Sequence, residues 1–158
     1  MDRPEGSEAR AWGFCLPLWK QPYKRPDGSN AVRARAERIG IVQGGYSSIH
    51  EHREQSNVFC VFKGRLLLRE FIMDGQVPIL SGELELLPDD RPMTLDPGLV
   101  HQFEALTEVE ALELYIAHGA GSADPADIMR YSQNGVRPQV VGLEYTMTTK
   151  TFEELYKR

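Results

Sequence analysis

No apolar run in this chain approaches the ~20 residues that a membrane-spanning helix needs. The segment Met1 to Arg10 is charged and lacks the apolar centre of a secretory signal. A cytoplasmic protein with no membrane partner is therefore expected. Basic charge is short as well: 18 Lys and Arg stand against 23 Asp and Glu, for a formal net charge of −5. That balance disfavours a polyanionic partner, and no nucleic-acid role is expected. The positive charge is local, at Lys24, Arg25, Arg33, Arg35 and Arg38, and reads as a solvated strand face. Cysteine is scarce too. Cys15 and Cys60 cannot build a disulfide framework, so nothing requires an oxidising compartment. Cys60 lies in Val58-Phe59-Cys60-Val61-Phe62 and reads as a small core residue of a buried strand.

Helical periodicity is almost missing. What replaces it is a succession of short strand patterns separated by Gly and Pro turns. Residues 32–42 set Val32, Ala34 and Ala36 against Arg33, Arg35 and Glu37, the period-two signature of a half-buried strand. Residues 47–52, 57–63, 65–72, 76–80, 83–87, 92–95, 101–106 and 110–117 read as further strands or strand fragments. Asp74-Gly75 is a hairpin signal between two of them. The whole reads as one all-β domain, an antiparallel sandwich or barrel. Residues 1–30 form an N-terminal extension with an aromatic-rich stretch from Trp12 to Trp19, broken by Pro17. Residues 31–118 form the barrel. Residues 119–158 form a C-terminal extension that packs on the barrel or on a partner subunit. Within it, residues 124–131 suit one or two helical turns and 140–147 a late strand. Thr151-Phe152-Glu153-Glu154 fits a capping box that would open a short helix.

Only four histidines occur, and two of them are His50 and His52. On a strand, residues i and i+2 share a face, so this pair aims two imidazoles at one point. His101 follows the turn Asp96-Pro97-Gly98 and can join them from a second strand. Three converging imidazoles make a transition-metal site with open coordination positions. His118, at a strand end before Gly119, reads as a surface residue. Glu54 lies in a charged bend and reads as solvent-facing, and Gln55 beside it is the other conceivable replacement ligand. Ser48, two residues before His50, shares its face on a regular strand and suits a substrate hydroxyl. Glu113 and Tyr115 share one face of the last core strand and can line the same pocket, provided that Leu112, Leu114 and Ile116 face out.

The stretch from Gly44 to Gly64 resembles the first motif of the cupin superfamily. Five residues separate Gly44 from His50, four separate His52 from position 57, and six separate that position from Gly64. The second motif, a Pro-Gly turn shortly before a histidine, is matched by Pro97-Gly98 and His101. The resemblance implies a cupin-type antiparallel β-barrel, or double-stranded β-helix, holding a divalent transition metal (Fe, Mn, Ni or Zn) on His50, His52 and His101. Two positions depart from the pattern. Asn57 stands where the motif has a glutamate, and Ala105 stands where it has an asparagine. Asn57 can ligate through its carbonyl oxygen but supplies no charge, so the alternative is a barrel with vestigial histidines.

Within the cupins, Ser47 to Arg53 looks like the histidine motif of type II phosphomannose isomerases. Leu112 to Arg130, ending Asp127-Ile128-Met129-Arg130, looks like that family's tail. This hints at a sugar-like ligand without implying the isomerase activity. The expected function is a metal-binding enzyme acting on a small polar or anionic substrate, sugar-like or a carboxylate, by isomerase- or dioxygenase-type chemistry. The alternative is a non-catalytic sugar-binding or sensor barrel. A homodimer is expected, because exposed sheet edges need covering.

Overall fold

The computed structural model describes residues 1–137, which hold strands, turns and bends and no helix. The expected strand at 140–147 and the capping box at Thr151 to Glu154 lie outside the described residues. The strands are β1 Glu8–Arg10, β2 Gly13–Lys24, β3 Asn30–Ile41, β4 Gly45–Tyr46, β5 His50–Glu51, β6 Gln55–Lys63 and β7 Leu66–Asp74. They continue with β8 Val77–Leu86, β9 Met93–Leu95, β10 Val100–Ala105, β11 Val109–Ala117, β12 Met129–Arg130 and β13 Gly135–Val136.

Two sheets result, and every ladder is antiparallel. One has the order β1-β2-β3-β11-β6-β9. In the other, β10 is central: β7 and then β8 pair on one edge, while β5 and β4 share the opposite edge and carry β12 and β13. The sheets face each other as a jelly-roll-like sandwich and do not close into one continuous barrel. β2 pairs with β3 from Gly13↔Ile41 to Lys24↔Asn30. The boundary expected at residue 31 thus falls inside a hairpin. A register shift between Pro17 and Trp19 lets the strand run through the proline, which cannot donate to a ladder. Gly64 turns β6 into β7 at φ +85°, and a Cβ there would lie 2.1 Å from the Glu108 carbonyl oxygen.

The inward-facing positions change character halfway along each long strand. At one end Ile39 and Ile41 of β3, Ala111 of β11, Phe59 and Val61 of β6, and Phe103 and Ala105 of β10 form one apolar core with Trp12, Leu66 and Leu68. Toward the other end the same faces carry Arg35 and Glu37 on β3, Glu113 and Tyr115 on β11, Asn57 on β6 and His101 on β10. This corrects the solvated-face reading of the basic cluster for Arg35, which is only 8% exposed, while Lys24 is exposed and Arg25, Arg33 and Arg38 are partly so. The physical reason is phase. Arg35 and Glu37 share the period-two face of Ile39 and Ile41, and those two isoleucines are fully buried.

Candidate metal centre

Of the strand expected at 47–52 only His50–Glu51, β5, is formed, and with β4 just before that range it lies on the same edge of β10. Glu104 pairs with Tyr46 and His101 with His50, so four steps on one side oppose three on the other. The extra residue bends the chain and re-aims the side chains that follow, as a β-bulge does. His50 and His101 sit directly opposite in register, and His52 follows immediately after β5.

The three rings converge. Centroids are 4.4 Å apart for His50 and His101, 5.1 Å for His50 and His52, and 5.8 Å for His52 and His101. One ring nitrogen from each lies within 4.8 Å of the others. Backbone carbonyls fix the orientation. His50 Nδ1 donates to the Ser48 carbonyl at 2.7 Å, His101 Nδ1 to Leu99 at 2.9 Å, and His52 Nδ1 to Asp127. With Nδ1 protonated and bonded outward, Nε2 is the free lone pair on each ring. The Nε2 atoms of His52 and His101 are buried without a hydrogen-bond partner. Burial depresses all three imidazoles: His50 well below the usual histidine range, His52 below it, and His101 to about 4. They are therefore neutral near pH 7, the form that binds metal. Neutral rings, fixed tautomers and orphaned nitrogens fit a divalent transition-metal ion.

His50, His52 and Ser48 open onto a cavity of about 220 Å³, while His101 is 2% exposed and lies behind that lining. Ser48 holds His50 through its carbonyl, and its Oγ lies 3.3 Å from the same ring. The opposite wall comes from the other sheet. Glu113 and Tyr115 line it while Leu112, Leu114 and Ile116 turn away. The Arg35 guanidinium lies 3.5 Å over the Tyr115 ring, donates through Nε to the Ala123 carbonyl at 2.9 Å, and pairs with Glu37. The Cys15 thiol donates to Glu37 Oε2 at 2.9 Å, and burial pushes it well up. Glu113 faces Glu37 across the β3–β11 ladder, so two carboxylates share one arginine. Burial pushes the Glu113 carboxyl up to about 7. Asn57, at the motif's glutamate position, donates to Glu113 Oε1 at 2.9 Å, and its own Oδ1 is buried without a partner. Gln55 is buried behind His52, with its amide 3.2 Å from the Asp127 carbonyl. Glu54 is exposed and accepts from Arg25 and the Ser122 amide. His118 is exposed and bonds Ser56.

Residues 124–131 are not the helical turns expected. A turn at Pro125-Ala126 leads into β12, which pairs with β5 through Arg130↔His50 and Met129↔Glu51. The competing interaction is local. Asp127 accepts from the amides of Arg53 and Glu54 at 3.1 and 2.8 Å, tying this segment to the bend after His52. Sequence reasoning missed Arg35, Glu37 and Arg130 as cavity residues. Extending the alternation of β3 to its terminal isoleucines reveals the first two, and nothing local in the sequence marks the third.

No family model and no curated protein matches the sequence. Solved structures do match. The capsular polysaccharide assembling protein CapF from Staphylococcus aureus superposes with a TM-score of 0.59 at 15% identity over 83% of this chain. The chain has the cupin fold. It spans only 32% of that CapF chain. Oxalate oxidase in complex with glycolate matches at TM-score 0.50 and 18% identity, over 81% of this chain and 56% of that one. KdgF from Halomonas sp. matches at TM-score 0.50 and 14% identity, over 75% of this chain and 87% of KdgF.

Proposed function

We infer that this cupin is a metal-dependent enzyme acting on a small polar or anionic molecule. One observation carries the reading: three neutral, pre-oriented imidazoles converge beside a polar cavity, and the Nε2 atoms of His52 and His101 are buried without a partner. His50, His52 and His101 would hold the ion. When bound, a divalent ion supplies Lewis acidity, polarising a carbonyl or hydroxyl oxygen of the substrate. The rest is the work of the chain. Glu113 keeps a proton on the facing wall near neutral pH and can deliver or accept one, which favours isomerase-type proton transfer over dioxygenase-type chemistry. Arg35, stacked on Tyr115 and paired with Glu37, keeps that wall rigid. Trp12 and Phe103 supply apolar lining to the same cavity.

A non-catalytic small-molecule barrel is the second reading. It is favoured by the absence, among the described residues, of any carboxylate in the histidine group. Metal analysis separates the two. Protein purified without chelator should carry about one transition-metal ion per chain, and His50→Ala or His101→Ala should lose it while circular dichroism stays unchanged. A wild-type chain with almost no metal would overturn the enzymatic reading.

A further inference from the structure

Three neutral imidazoles leave both positive charges of a divalent ion uncompensated, and no Asp or Glu joins them among the described residues. Glu37 and Glu113 stand on the facing wall, so countercharge at the ion itself is left to what enters the cavity. Arg130 stands at that entrance. It lies on β12 directly opposite His50 on β5, and its side chain lines the same cavity. Its charge bears on both His50 and His52. Other arginines nearby are paired: Arg10 with Glu8, Arg53 with Glu51 and Arg35 with Glu37. The Arg130 side chain is exposed and makes no hydrogen bond or ion pair with any described residue.

We propose that Arg130 receives the carboxylate of a small chelating acid, a 2-hydroxy or 2-oxo carboxylate, whose second oxygen faces the three histidines. The proposal rests on the metal-dependent reading above. A guanidinium presents a planar fork that matches a carboxylate bidentately. A cavity of about 220 Å³ equals roughly seven water volumes at ~30 Å³ each, enough for an acid of a few carbons. The shape of the requirement is therefore one anionic end at the rim and one neutral oxygen at the ion, and Arg130 selects for the anionic end.

The test compares glycolate with ethylene glycol, which has the same skeleton without the charge. Both are titrated calorimetrically into zinc-loaded wild-type, R130Q and R130K proteins, with zinc content measured in each. Wild type should bind glycolate and not ethylene glycol. R130Q should lose roughly tenfold to hundredfold in glycolate affinity, the range expected for a lost charge-assisted hydrogen bond. R130K should recover part of that loss. Both variants should keep one zinc per chain, held at least as tightly, because a positive neighbour has been removed or kept at equal charge. Equal glycolate affinity in wild type and R130Q, with zinc in place, overturns the role of Arg130 alone. Equal binding of ethylene glycol overturns the acid preference. A wild type that takes up no zinc sinks the metal-dependent reading and this proposal together.

Discussion

At the residue scale, the protonation of Glu113 decides what the cavity wall can do. It is 5% exposed, faces Glu37 and Arg35 on β3 and Asn57 on β6, and bonds Tyr115 on its own strand. Its folded carboxyl sits at about 7, above the ordinary value of 4.5, so folding favours the protonated form. Its contribution to stability is complete below pH 4.5 and is lost as pH rises through 7. The histidines titrate in part of the same range, since their shifts run downward from 6.5, but they are common to wild type and a Glu113 variant and cancel in the comparison. Glu113→Gln is neutral at every pH. In urea unfolding of metal-free protein, wild type should lose stability relative to Glu113→Gln as pH rises from 4.5 to 7 and run parallel to it above that, and parallel curves throughout would place the proton elsewhere. The three histidines were legible in the sequence because the motif spacing and the strand period agree on them. Arg35 was not, because a charged residue on an alternating strand has solvent as its default. Its burial depends on Tyr115 and the Ala123 carbonyl, which come from distant parts of the chain.

The elements show how the site is held. The bend after His52 is tied by Asp127 from 75 residues along the chain, beside the bonds Glu54 makes to Arg25 and the Ser122 amide. The Asp127 carbonyl accepts the hydrogen bond from His52 Nδ1, and the Asp127 carboxylate accepts from the Arg53 and Glu54 amides. Asp127→Ala should leave the sheets folded and weaken zinc binding by roughly tenfold to hundredfold, as losing the support behind a ligand does. Titration against a chromophoric chelator measures it, and unchanged affinity would show that the bend holds itself. The pairing of β12 with β5 explains why a helix was expected here wrongly. Residues 124–131 carry no strong strand pattern, and only the edge offered by β5 makes them extended. The bulge between β4 and β5 was equally hidden, since one extra residue leaves no mark in composition.

The whole molecule leaves one surface to explain. The outer face of the six-stranded sheet carries Leu114 opposite Val58 and Ala36, with Leu112 opposite Cys60 and Trp19 opposite Ala36. Trp19 is 55% exposed and Ile116 43%. A contiguous apolar face of this kind is what a second copy would cover. Leu114→Lys should convert a dimer into monomers in sedimentation velocity without changing zinc content. A wild type that sediments as a monomer ends the dimer expectation. The division along the strands has a longer reach. Ile39, Phe59, Phe103 and Ala111 secure the sandwich at one end, and the ionisable groups gather at the other. Mutational drift at the polar end can therefore retune, exchange or erase an activity while the protein goes on folding. A scaffold so arranged is free to diversify its chemistry over generations without passing through unfolded ancestors.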